Sequence, residues 1–115
     1  MNSSKNSPKR TIYKVRISRV AEKDLQDIYF YIAQDKPVAA ARFFHMLRQK
    51  ALTLHRSPLR CAKIPERFES QYEYRHLLVK RYRIIFTIVD DTVRVLRIIH
   101  GARLLNIETL LYFFE

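Results

Sequence analysis

Two runs rich in Ile, Val, Phe and Tyr flank Asp90-Asp91, one ending at Val89 and the other starting at Thr92. This pattern predicts an antiparallel hairpin. With a two-residue loop, Val89 faces Thr92, Ile85 faces Leu96, Arg83 faces Ile98 and Arg81 faces His100. Alternation then places Tyr82, Ile84, Phe86, Ile88, Val93, Val95 and Ile99 on one face, apolar enough to be covered by helices. Arg97 falls on that face too, where it needs solvent or a carboxylate. The opposite face gathers Arg81, Arg83 and His100 at its open end, and Arg103 follows just beyond Gly101. A longer or bulged loop would shift the register and turn residues over.

Upstream, Thr11 to Ser18 alternates as an amphipathic strand with Tyr13, Val15 and Ile17 inward. Ser18 suits an N-cap, and Ala21, Leu25, Ile28 and Ile32 repeat at helical spacing after it. Asp35-Lys36-Pro37 ends this helix and starts a second, whose stripe is Ala40, Phe43, Phe44, Leu47, Ala51 and Leu54. About three residues join the two helices, so they form an antiparallel hairpin. Pro58 forces an end near Ser57, and residues 57–73 form a long basic connection carrying Arg60, Lys63 and Arg67. A strand from Tyr74 to Lys80 precedes the β-hairpin. The order of elements predicts an α+β domain: an N-terminal strand, a two-helix hairpin, then a three-stranded antiparallel sheet, with the helices packed on one sheet face. Residues 1–10 read as a disordered basic tail, 11–103 as a single domain and 104–115 as an apolar tail.

Charge sharpens this picture. The chain carries 22 Lys and Arg against 11 Asp and Glu, a net +11, which points to an anionic partner, either nucleic acid or an acidic protein. One cysteine, Cys61, precludes an internal disulfide, and no apolar run is long enough to span a bilayer, so the expected setting is the cytoplasm, with no membrane partner. His45, His55, His76, His100 and Cys61 lack paired ligand spacing, so neither a metal nor any other cofactor is expected. A nucleophilic triad, a glycine-rich phosphate loop and paired carboxylates at the basic sheet end are also missing. What remains is Arg81, Arg83, His100 and Arg103, suited to phosphates or carboxylates, with Tyr72 and Tyr74 nearby.

The segments AEKDLQDIYFYIAQDKPVAAARFF and RYRIIFTIVDDTVRVLRIIHGAR, in this order of elements, resemble the RelE/ParE superfamily of bacterial toxins over about residues 12–103. The IIHGAR ending after VDDTVRVLR resembles the ParE, or plasmid-stabilisation, branch in particular. The resemblance implies a type II toxin neutralised by a cognate antitoxin, in a toxin–antitoxin hetero-oligomer. ParE-type members inhibit DNA gyrase and replication; RelE-type members cut messenger RNA on the ribosome. On the nuclease alternative, Arg83 and Arg103 match phosphate-holding arginines, and His100 or His76 would transfer the proton. The nucleases' lysine-rich strand is replaced here by Tyr74-Arg75-His76-Leu77, and their tail tyrosine falls near Thr109. This depleted set favours gyrase as target, with Arg81, Arg83, His100 and Arg103 as the target-binding group and no catalytic residue. An acidic antitoxin is expected to engage the helical hairpin or the tail residues Leu104, Leu105, Leu110, Leu111 and Phe113.

Overall fold

The structure, a computed structural model, describes residues 12–67 and 69–103. Strand β1 (Lys14–Ile17) leads into helix α1 (Arg19–Ala33) and helix α2 (Pro37–Leu52). Two short 3-10 turns (Thr53–His55 and Pro58–Arg60) follow, then β2 (Tyr74–Val79), β3 (Tyr82–Val89) and β4 (Thr92–His100). The expected tail before residue 11 and the tail after 103 lie outside the described residues.

The helical hairpin forms as its stripes require. The Ser18 hydroxyl accepts the Ala21 N–H at 3.0 Å and donates to the Leu96 carbonyl at 3.1 Å, so one side chain caps α1 and ties it to β4. Pro37 opens α2 at its first position, where a missing N–H costs nothing. Ala21 and Leu25 of α1, with Ala40, Leu47 and Ala51 of α2, are fully buried. Ala21, Leu25, Leu47, Ala51 and Leu54 cover a sheet face made of Ile84, Phe86, Val93 and Val95, while Tyr13, Val15 and Ile17 pack against the same core.

The sheet has four strands in the order β1-β4-β3-β2. The expected N-terminal strand joins the three antiparallel strands as an edge: β1 lies parallel to β4, from Lys14 opposite Thr92 to Ile17 opposite Val95. The Asp90-Asp91 turn does have two residues, and the expected pairing holds from Val89–Thr92 to Phe86–Val95. Asp90 takes a positive φ of 57°, a conformation aspartate tolerates better than most residues.

Beyond Phe86 the register changes. Ile85 pairs with Arg97 rather than Leu96, so Leu96 is the extra residue of a β-bulge. Ile98, Ile99 and His100 are turned over relative to strict alternation. Ile98, expected on the open face, joins the helix-covered core opposite Ile84, whereas Ile99, expected in that core, packs with Tyr74, Ile85 and Leu96 on the other face. Ile64 and Tyr72 of the long connection cover this second cluster, so neither sheet face is bare.

The bulge lies where β1 ends, and there Asp24 of α1 replaces the missing strand. Its carboxylate accepts Arg97 Nε at 2.7 Å, Arg97 Nη2 at 3.0 Å and the Ile98 N–H at 2.9 Å. Arg97 thus finds the carboxylate its sequence position demanded. The side chains of both partners are nearly buried, 12% and 11% exposed. Removing Asp24 would leave an unpaired cation and an open N–H in the interior. Asp24→Ala is expected to cost about 3 kcal/mol in urea unfolding, whereas Asp27→Ala, which breaks an exposed pair with Lys23, should change stability by less than about 0.5 kcal/mol.

Candidate functional site

The basic group predicted at the open end of the hairpin does not form one cluster. Arg83 points away from the helices, as expected, but its guanidinium is buried, with the residue only 3% exposed. Glu66, on the connection before β2, grips it with both oxygens: Arg83 Nη1 donates to Oε1 at 3.0 Å, and Nη2 donates to Oε2. Nη2 also donates to the Arg103 carbonyl at 2.8 Å. The cation is neutralised within its own domain.

His100 is on the other side of the sheet. The bulge carries it to the helix-covered face, opposite Tyr82, with ring centroids 5.6 Å apart. Its Nδ1 accepts the Ala102 N–H at 3.2 Å, which makes it part of the turn that ends β4. Arg81 belongs to the β2–β3 turn and is exposed; its carbonyl accepts the Gly101 N–H at 2.7 Å. A Cβ at position 101 would sit 3.3 Å from that carbonyl oxygen, tighter than usual, which accounts for glycine here. The turn continues with Arg103 N–H on the His100 carbonyl at 2.9 Å and returns the chain to Arg83. The Gly101-Ala102-Arg103 motif is thus the device that closes one end of the sheet.

His76, on β2, does lie beside Arg83. Its Nδ1 is 3.5 Å from Arg83 Nη1, and both line an open cleft of about 440 Å³ with Glu66, Leu78 and residues 101–103. Burial pushes the His76 pKa below 6.5, the Arg83 charge pushes it further the same way, and Glu66 partly opposes them. The imidazole is therefore neutral at physiological pH. Arg75, the other candidate on this strand, is engaged by the Cys61 carbonyl at 2.6 Å and by Glu73 at 2.8 Å. Cys61 is buried, and burial raises its thiol pKa against the pull of Arg60 and Arg75, so it is a poor nucleophile. The five tail residues expected to meet the antitoxin (Leu104, Leu105, Leu110, Leu111, Phe113) lie outside the described residues.

Sequence reasoning missed Glu66. Its signal is indirect: an arginine between Tyr82 and Ile84-Ile85-Phe86 sits in a strand too apolar to leave it wet, so it requires a carboxylate from elsewhere.

A second depression lies on the helical hairpin, about 380 Å³ in volume, between Gln26, Tyr29 and Phe30 of α1 and Ala41, Phe44 and His45 of α2. Phe30, Tyr31 and Val38 around the hairpin's tip are 61%, 73% and 68% exposed. So much apolar surface at one end of a small domain marks a contact site.

The profile of the ParE toxin of the type II toxin–antitoxin system parDE matches residues 15–105. The chain belongs to the ParE toxin family. Among solved structures, this ParE-family chain resembles the chromosomal ParDE toxin–antitoxin system of P. aeruginosa, with TM-score 0.67 and 18% identity over 77% of this chain and 96% of that one. It also resembles the toxin–antitoxin complex RelBE2 of Mycobacterium tuberculosis, with TM-score 0.55 and 28% identity over 77% of this chain and 98% of that one. No curated protein sequence matches it. The ParE match runs from Val15 in β1 through the HGAR turn, and so covers the described sheet apart from Lys14.

Two outcomes are expected at this site. Glu66→Gln leaves the Arg83 charge buried and half compensated, and should cost about 3 kcal/mol in urea unfolding; the joint replacement Arg83→Met with Glu66→Leu should recover most of the loss. Because the folded state lowers the His76 pKa, the unfolded chain binds the extra proton first. The stabilisation His76 gives is thus complete above pH 6.5 and is lost as pH falls through the folded value. Unfolding midpoints taken from pH 7.5 down to 5 should fall less steeply for His76→Asn than for the parent chain.

Proposed function

We propose that this chain is a toxin that binds and poisons DNA gyrase and performs no chemistry of its own. One observation carries the reading: the guanidinium best placed to hold a phosphate, Arg83, is bidentately bound by Glu66. RNA scission needs a group to activate the 2′-hydroxyl and another to protonate the leaving oxygen. His100 lies across the sheet from Arg83, and His76 faces an arginine already occupied. The cations left for a target are the exposed Arg81 and Arg103 at the closed end of the sheet. Arg83 holds the Arg103 carbonyl and His100 the Ala102 N–H, so the two position this turn from opposite faces of the sheet.

The antitoxin is an acidic protein whose apolar side chains enter the depression on the helical hairpin. Exposed Phe30, Tyr31 and Val38 supply the apolar contact, and the net charge of +11 supplies long-range attraction. Leu104, Leu105, Leu110, Leu111 and Phe113 are a further apolar contact offered to the antitoxin, on the strength of the sequence alone.

Supercoiling by purified gyrase should be inhibited by the chain, while messenger RNA stays intact in a ribosome-containing translation mixture. RNA cleavage abolished by Arg83→Ala would reverse the assignment. Arg81→Ala with Arg103→Ala should weaken gyrase inhibition and leave antitoxin binding unchanged. Phe30→Ser should weaken binding of the acidic protein encoded beside the toxin about tenfold or more, measured by calorimetry, and raised salt should weaken it further.

A further inference from the structure

The smaller core occupies only part of the sheet face turned away from the helices. Ile64 and Tyr72 pack there with Tyr74, Ile85, Leu96 and Ile99. Toward β1 and the Asp90-Asp91 turn, the same face carries cations instead. Val15 and Ile17 of β1 and Val93 and Val95 of β4 belong to the helix-covered core, so alternation puts Lys14, Arg16 and Arg94 on the opposite face. Arg16 lies directly opposite Arg94 in the parallel pair, and Thr87 of β3 lies opposite Arg94 on its other side. Neighbouring strands are about 4.8 Å apart and alternate residues of one strand about 6.6 Å, so two guanidinium groups rise side by side with an ammonium group one step along.

Like charges placed opposite one another repel. Among the described residues nothing offsets this: neither arginine forms an ion pair, and Arg94 Nε is buried without an acceptor. Asp91 reaches Lys14 only at 3.8 Å and accepts the Thr92 hydroxyl at 3.0 Å. Glu73, whose carbonyl accepts the Thr87 hydroxyl, gives its carboxylate to Lys63 and Arg75. Arg83 also has a buried Nε without an acceptor, but there Glu66 binds both terminal nitrogens. An exposed arginine on an edge strand serves as a guard against aggregation. That accounts for Arg16 but not for Arg94, whose strand lies inside the sheet between β1 and β3.

We propose that Lys14, Arg16 and Arg94 bind the phosphodiester backbone of DNA. Paired guanidinium groups match the several oxygens of a phosphate, and the next cation along the strand is set for the next phosphate. Thr87 and Thr92 beside them are polar and offer no apolar anchor to a peptide side chain. The choice of DNA rests on the gyrase reading above. The strip lies at the opposite end of β4 from Arg81 and Arg103, so one toxin molecule touches gyrase with one end of its sheet and the bound DNA with the other.

The test uses the full chain and a short labelled DNA duplex, with binding read by fluorescence anisotropy as salt rises from about 50 to 200 mM. The parent chain should bind, and its affinity should fall steeply over that range. Arg16→Gln with Arg94→Gln should weaken binding about tenfold or more, and should flatten the plot of log affinity against log salt by about 0.9 for each arginine lost. Arg42→Gln with Lys50→Gln removes the same charge from exposed positions on α2, and should change affinity by less than about threefold. Arg16→Glu should abolish DNA binding while raising the unfolding midpoint, because Arg94 then faces a carboxylate in place of a like charge. An arginine pair kept only for structure would not move the two readouts in opposite directions. No binding by the parent, equal losses in the two double variants, an unchanged salt slope, tighter binding of an RNA duplex, or displacement of the DNA by a polyglutamate peptide of equal charge would overturn the proposal. Supercoiling by gyrase separates the two readings. A chain that blocks gyrase while its Arg16 and Arg94 variants hold DNA as the parent does ends this proposal alone; a chain that loses DNA with those variants but never affects gyrase ends the gyrase reading alone.

Discussion

Beyond Ile17, β4 has no strand neighbour on the side away from β3, and a single carboxylate on α1 takes over the work of one. Asp24 receives a backbone N–H and two guanidinium hydrogens at the point where β4 bulges. Without that acceptor, Ile98 would bury an orphan donor and Arg97 an orphan charge, and a regular strand would be cheaper than a bulged one. The bulge in turn decides which side of the sheet each later residue faces. Ile98 enters the main core, Ile99 enters the smaller one, and His100 turns to Tyr82 rather than to Arg83. The arrangement of the closing turn, and hence the identity of the exposed cations, follows from one helix–sheet contact.

The second ion pair organises the opposite face. Arg83 and Glu66 are almost entirely withdrawn from water, with side-chain exposures of 4% and 12%. A pair so placed adds little net stability over an apolar substitute, but it strongly penalises any arrangement that parts its members. It therefore fixes the connection between α2 and β2 against the sheet, together with Ile64 and Tyr72 packed on the smaller core. The same contact removes the arginine from the inventory of groups free to bind a phosphate. Structural order on this face and the engagement of Arg83 have one cause.

Much of the fold could be read from the chain because helices and strands announce themselves by period. The Ser18 cap, both helical stripes, the three-residue link before Pro37 and the inward set Tyr13, Val15 and Ile17 are all local patterns, and all are found. The two-residue turn at Asp90-Asp91 is equally local. The bulge at Leu96 is not: it depends on Asp24, more than seventy positions earlier, and Leu96 itself looks like any other strand residue. The site inherited that error, since one inserted residue moves His100 to the far side. Pairing of Glu66 with Arg83 is likewise a meeting of distant segments, and β1 lying beside β4 is a matter of topology that no alternation reveals. Arg97 is the instructive exception, because burial of a charge requires a partner even when its identity is hidden.

The parallel pairing of β1 with β4 also governs when the domain can exist. Ser18 and Leu96, which meet through a hydrogen bond, are 78 residues apart. During synthesis the two helices emerge early, yet the apolar side formed by Leu25, Leu47 and Ala51 has no sheet to rest on until β3 and β4 have been made. Loop closure over such a separation is slow and comes late. A nascent chain halted before Thr92 lacks the strand that both edges of the core require, so ribosomes that abandon the message midway release no native domain. Folding is thereby tied to completed translation.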